Sequence, residues 1–149
     1  MSTGRIAAAL VLAGVALAAG CGPPSDPVRQ TIDGIVGGAQ DRDAKAIMER
    51  LAPDFQAADG SGRVDAEATL RRYLAAYESL DVRISDLTVE RAAGAARARF
   101  RADLSGSPRR IGGLDGLVPR SSAYRFDLRL VPAEGGRWLV TWASWEPAS

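Results

Sequence analysis

The chain contains no histidine, which removes the commonest general base, the Ser-His-Asp and Cys-His nucleophile systems and the histidine-based zinc motifs. No Gly-x-x-x-x-Gly-Lys phosphate loop and no Gly-x-Ser-x-Gly elbow occurs either. Carboxylate and tyrosine chemistry is what remains. Asp103 and Asp127 alternate with apolar residues and share the side of their segments with arginines, so in strands they face away from a core. Two acids escape this rule and are the catalytic candidates. Asp86 shares parity with Val82 and Ile84 but precedes Leu87 and Val89, so the alternation slips there and a bulge is expected. Glu146 shares parity with Trp138 and Trp142.

A second constellation is aromatic. Trp138 and Trp142 fall on one side of a segment, and with Phe55, Tyr73, Tyr77 and Tyr124 they outline an apolar pocket carrying a few hydroxyl and indole donors. Such a pocket suits a small apolar ligand; ordinary core packing is the competing reading. The lone cysteine has no companion ligand, so no metal site is expected, and no motif asks for a cofactor.

A third is basic. Arg97, Arg99, Arg101, Arg125 and Arg129 line one strand face, partly offset by Asp103 and Asp127. Lys45 is the only lysine and asparagine is absent, so arginine richness here reflects compositional bias as readily as function. The functional reading is contact with anionic headgroups or an acidic protein partner. Total charge is nearly balanced, at 19 basic against 18 acidic residues, which argues against nucleic acid as a partner.

These residues need elements to hold them. Ser25 or Asp26 caps a helix with Pro27 in its first turn and Val28, Ile32, Ile35 and Ala39 on one side. Asp41 or Asp43 opens a shorter helix carrying Ile47, Met48 and Leu51, stopped by Pro53. Asp65 caps a third, with Leu70, Tyr73, Leu74, Tyr77 and Leu80 on one side. From Val82 the period becomes two, predicting antiparallel strands near 82–90, 96–104, 122–130 and 137–146. Ala133-Glu134-Gly135-Gly136 makes the last hairpin, with glycine where positive φ is required. Residues Ser105 to Arg120 form a long connection carrying Ile111, Leu114, Leu117 and Val118, read as either a mobile hairpin tip or a lid and docking segment. Three helices followed by strands is an α+β pattern, with helices on one face of an antiparallel sheet of four or more strands.

At the N-terminus, Arg5 precedes an apolar run from Ile6 to Ala19, too short to span a bilayer and fitting a secretory leader. Leu17-Ala18-Ala19-Gly20-Cys21 resembles the lipobox of bacterial lipoproteins, with Ala18 where those proteins usually carry leucine. The resemblance implies cleavage after residue 20, lipidation of Cys21 by acyl chains such as palmitate, and attachment to a membrane of the cell envelope. Two or more chains give lasting anchorage, at about 0.8 kcal/mol per buried methylene. Gly22 stands where an inner-membrane retention signal places aspartate, so the outer membrane, facing the periplasm, is expected in a two-membrane envelope. Residues 21–25 then form the lipidated cysteine and a short linker; from Gly22 to Asp26 it reaches no more than ~18 Å.

Residues 26–149 form the single remaining domain. Its order of elements resembles the nuclear transport factor 2-like superfamily, which includes ketosteroid-isomerase-like and SnoaL-like proteins. The resemblance is carried by Asp41-Arg42-Asp43, Leu51-Ala52-Pro53-Asp54-Phe55 and Gly136-Arg137-Trp138-Leu139-Val140. It implies a conical cavity between a curved sheet and the helices, and a dimer formed through sheet edges. The isomerase site itself is not matched, since the first helix carries no tyrosine and the strand acids have the wrong parity. The chain is therefore read as a non-catalytic envelope lipoprotein that binds a small apolar ligand or a protein partner. The alternative is an isomerase, dehydratase or hydrolase using Asp86 or Glu146 with a tyrosine.

Overall fold

Asp26 accepts a hydrogen bond from the Val28 N–H at 2.8 Å and so opens helix α1 (Pro27–Gln40), with Pro27 in the turn where its missing donor costs nothing. The computed structural model describes residues 26–110 and 118–149. Cys21, the leader and residues 22–25 lie outside the described residues, as do Ile111, Leu114 and Leu117. The helix buries Val28, Thr31 and Ile32, and the Thr31 hydroxyl donates to the Trp138 carbonyl at 2.6 Å, tying the helix to the last strand.

Asp43 caps helix α2 (Ala44–Met48) through the Ala46 N–H at 3.1 Å. The two helices meet at Gly38, where a Cβ would stand 2.8 Å from Ile47 Cγ1. Helix α2 ends earlier than its apolar stripe suggests. Leu51 and Pro53 belong to strand β1 (Leu51–Ala57), followed by helix α3 (Arg63–Ala75). The helical spacing of Leu51 and Phe55 is imitated here by an irregular strand, whose register shifts between Leu51 and Gln56. Pro53 is tolerated because β1 is an edge strand that need not supply every ladder donor.

Asp65 does not cap α3. Gly62 holds the cap position, and the Asp65 carboxylate, in the first turn, accepts from the Gly62 N–H at 3.3 Å. Nor does the helix continue to Leu80. It stops at Ala75, and Tyr77 and Leu80 open strand β2 (Tyr77–Ala92). In a strand with an irregularity near its start their apolar spacing serves equally well, and both remain buried.

Strands β3 (Ala95–Pro108), β4 (Ser121–Pro132) and β5 (Trp138–Pro147) complete a sheet ordered β1-β5-β4-β3-β2. The expected sheet was antiparallel throughout; the observed one is mixed, because β1 pairs parallel with β5 while the other neighbours are antiparallel. A strand thus stands between the second and third helices. The β4–β5 turn uses Gly135 and Gly136 at φ +71° and +72°, a region closed to most side chains.

One sheet face packs on the helices. Ala96, Ala98, Leu128, Leu130, Val140 and Ala143 meet Val28, Ile32, Met48, Leu51 and Phe55 in the main core. A second cluster joins Ala44, Ile47, Leu74, Tyr77 and Leu80 at the other end of α1. Among the described residues no helix is long and apolar enough to cross a membrane.

Candidate functional site

Two register shifts decide which side chains share a face. In β2 the pairing with β3 slips between Ser85 and Thr88, and Asp86 there takes φ +56°. This is the bulge expected from the broken alternation. In β5 the pairing with β4 passes from Arg129↔Trp142 to Leu130↔Val140, so one extra residue lies between Val140 and Trp142. The slip reverses parity along the strand. Trp138 and Val140 face the helices, Trp142, Ser144 and Glu146 face outward, and Ala143 and Trp145 return inward.

The inner face carries a row of aromatic rings. Phe100 stacks on Phe126 with centroids 5.3 Å apart, Tyr124 meets Phe126 edge-on at 6.3 Å, and Trp145 lies 6.4 Å from Phe126. Phe100 and Phe126 border the main core and are only partly buried. Trp145 is 49% exposed, one of two large apolar side chains so exposed among the described residues. Strand β1 covers β5 only as far as Ala143, where the Ala58 N–H bonds the Ala143 carbonyl, so the stretch bearing Trp145 has no strand beside it on that edge.

Next to this row stands a tyrosine pair. Tyr73, from the last turn of α3, and Tyr77, from the start of β2, have ring centroids 5.3 Å apart. The Tyr77 hydroxyl donates to the Pro119 carbonyl at 2.9 Å. Burial, and then the neighbouring phenols of Tyr73 and Tyr124, push the Tyr77 phenol well above its ordinary pKa. It is held as a neutral donor. The Tyr73 hydroxyl is buried and has no hydrogen-bond partner among the described residues.

The six aromatic residues singled out from the sequence therefore divide. Tyr73, Tyr77 and Tyr124 come together. Phe55 is part of the main core at 5% exposure. Trp138 faces inward at the opposite end of the sheet, with the Arg91 guanidinium 5.5 Å from its ring. Trp142 is on the outer face beneath Arg129, 4.5 Å from the ring, because the β5 slip separates it from Trp138. Phe100, Phe126 and Trp145 were not among the expected pocket residues. For Phe100 and Phe126 the signal was present, since both share parity with buried alanines and leucines; for Trp145 it was hidden by the slip.

Asp86 and Glu146 line one open groove with Arg99, Arg101, Arg125, Asp127 and Ser144, and Phe100, Phe126 and Trp145 of the aromatic row line the same groove. Both carboxylates are exposed to solvent. The groove does not include Tyr73 or Tyr77. No group of three metal-ligating acids forms among the described residues.

The arginine face is where the alternation placed it, and three of its five arginines are paired with acids. Arg97 donates to Asp127 at 2.9 Å, Arg101 to Asp103 at 2.9 Å, and Arg99 lies 3.6 Å from Glu90. Arg125 is the register partner of Glu146. The hydrogen bond from Arg97 holds the Asp127 carboxyl below the ordinary range, and that from Arg101 does the same for Asp103. Exposed pairs of this kind add little to stability. Their effect is to offset part of the positive charge of the face.

The connection between β3 and β4 is fastened at its ends. The Arg109 N–H bonds the Ala76 carbonyl at 2.8 Å, the Gly106 N–H bonds the Arg120 carbonyl at 2.9 Å, and Val118 packs against the second cluster.

No protein-family model matches the sequence, and no curated protein is similar to it. Solved structures are. A candidate scytalone dehydratase from Novosphingobium aromaticivorans superposes with a TM-score of 0.70 at 10% identity, covering 83% of each chain. A nuclear transport factor 2-like superfamily protein from Salmonella enterica gives 0.65 at 13% identity, covering 82% of this chain and 89% of the other. A candidate dehydratase of the same family from Streptomyces avermitilis gives 0.68 at 12% identity, covering 83% and 95%. The fold is thus the nuclear transport factor 2-like α+β fold, with three helices on a curved, mixed, five-stranded sheet. Fold-mates of this architecture include dehydratases and proteins without assigned activity.

Proposed function

We propose that the chain is a lipid-anchored envelope protein, held by an acylated Cys21, whose domain binds a small apolar molecule along the inner aromatic row without transforming it. The observation that carries this reading is the incomplete burial of four adjoining rings, Phe100, Tyr124, Phe126 and Trp145, on the face that elsewhere forms the core. Large exposed apolar surface is costly and marks a place where something binds. Asp86 and Glu146, which share a groove with three of these rings, are exposed to solvent, and that groove does not include the tyrosine pair, which supports binding over catalysis.

The described chain begins at one end of the sheet. Asp26 pairs with Arg91 near the β2–β3 turn, and α1 carries the chain about 21 Å from there toward Tyr77. A tether at Cys21 therefore holds the domain by the β2–β3 end, with the tyrosine pair directed away from the bilayer, which in a two-membrane envelope is the outer membrane facing the periplasm. The paired charges of the outer face disfavour it as a headgroup contact and suit a protein partner or a second copy better.

Two assays test the reading. Labelled palmitate is incorporated at Cys21 and lost in Cys21→Ser, which also leaves the membrane fraction; unchanged partition of that variant would end the anchorage proposal. Decanol quenches or shifts the fluorescence of Trp145 with saturation; a linear, unsaturable response would remove the binding site.

One observation favours a second reading, an isomerase or dehydratase. The Tyr73 and Tyr77 pair offers two neutral donors beside the aromatic row, and candidate dehydratases are among the fold's neighbours. Recovery of the bound molecule in chemically altered form after incubation identifies this reading, whereas unchanged recovery supports the first.

A further inference from the structure

Seven of the seventeen described arginines, Arg29, Arg71, Arg83, Arg91, Arg97, Arg99 and Arg101, have a carboxylate within ion-pair distance. Arg42 and Arg109 are among the ten that do not. Instead the two converge on one neutral atom. Arg42 Nη1 donates to the Tyr77 carbonyl at 3.1 Å, and Arg109 Nε donates to the same oxygen at 3.3 Å. Asp41 and Glu78 are adjacent in sequence, yet neither forms an ion pair with them.

Two guanidinium groups gathered on one carbonyl repel each other, and a single neutral acceptor offsets little of that. Each also keeps most of its five N–H donors unspent. The placement of Arg42 is itself unusual. Its backbone has φ +54°, in the turn between α1 and α2 where the Arg42 N–H bonds the Ala39 carbonyl and the Asp43 N–H bonds the Gly38 carbonyl. Glycine or asparagine is the ordinary choice there. An arginine at that position brings its side chain to Tyr77 at a small backbone cost.

We infer that Arg42 and Arg109 bind the acidic head, a carboxylate or a phosphate, of the molecule whose apolar part lies on the aromatic row. The link is Tyr77, whose carbonyl gathers the two guanidinium groups while its ring packs on Tyr73. Planar guanidinium forks match the two oxygens of a carboxylate or phosphate, and such charge-assisted bonds are the strong ones. The ligand class is therefore an amphiphilic acid rather than a neutral hydrocarbon. This inference rests on the apolar-ligand reading above.

The test is titration of the full chain, held in phosphatidylcholine nanodiscs with empty discs subtracted, with decanoate and with decanol. Decanoate binds at least tenfold more tightly than decanol, and Arg42→Gly and Arg109→Gln each remove about tenfold of that affinity while leaving decanol unchanged. Arg42→Gly suits the left-handed backbone, so the fold is kept; the Arg109→Lys variant restores part of the preference. Equal binding of decanoate and decanol, or a preference indifferent to both substitutions, overturns the inference and leaves the apolar-ligand reading intact. If neither probe binds, that reading fails and the inference with it. Phosphatidylglycerol vesicles distinguish the source of the acid. Capture of vesicles that is lost in the two variants supports a lipid headgroup, and inert vesicles beside tight decanoate support a free acid.

Discussion

Phe126→Ala removes the ring at the centre of the aromatic row, which touches Phe100, Tyr124 and Trp145. A fully buried phenylalanine costs about 3 to 5 kcal/mol when cut to alanine, and Phe126 is partly exposed, so roughly half of that is lost here. Ring-to-ring geometry adds about 0.5 to 1.5 kcal/mol. The expected loss of stability is ~2 to 4 kcal/mol, read as a lower urea midpoint at unchanged slope. Binding changes separately. An apolar ligand loses its central contact, worth ~1 to 2 kcal/mol, so decanol affinity falls about 5- to 30-fold in a tryptophan fluorescence titration of the folded variant. Phe126→Leu keeps most of the volume and most of the affinity. If Phe126→Ala remains folded and binds decanol within twofold of the parent chain, the row is core and not a ligand surface.

Other substitutions probe the frame. Leu130 is fully buried between α1 and the sheet, so Leu130→Ala lowers stability by about 3 to 5 kcal/mol in urea unfolding. The Asp127 carboxyl is depressed by Arg97, so its contribution is present above the ordinary carboxylate range and is lost as pH falls through the folded value. Comparing urea midpoints at neutral and acid pH, Asp127→Asn costs up to ~1 kcal/mol at neutral pH and nothing at the acid end. Tyr77→Phe leaves the Pro119 carbonyl without its donor and costs about 1 kcal/mol, with faster exchange of the Gly106 amide, which donates to the Arg120 carbonyl, as the local readout.

Much of the frame was legible because alternation and capping are local. Of the two cap candidates open at each helix, Asp26 and Asp43 are the ones used, and Arg97, Arg99 and Arg101 mark the outer side of β3 as the period of two requires. The broken alternation at Asp86 announced its bulge. What failed depended on pairing between distant segments. Strand β1 exists because β5 lies beside it, with the Val140 N–H bonded to the Arg50 carbonyl at 2.9 Å; read alone, Leu51 to Phe55 has helical spacing. The same holds for Tyr77 and Leu80, whose side chains fit a helix face but are claimed by β3. The pocket list failed at one residue of slip in β5, which turned Trp142 and Glu146 outward and Trp145 inward, since a shift of one reverses every later side chain.

Native mass spectrometry of the chain, extracted gently from membranes, asks most directly whether the aromatic row is occupied. The expected spectrum shows the lipidated mass with one additional small molecule, absent from Phe126→Ala. A bare lipidated chain in both samples, at concentrations where decanol also fails to bind, would contradict the account.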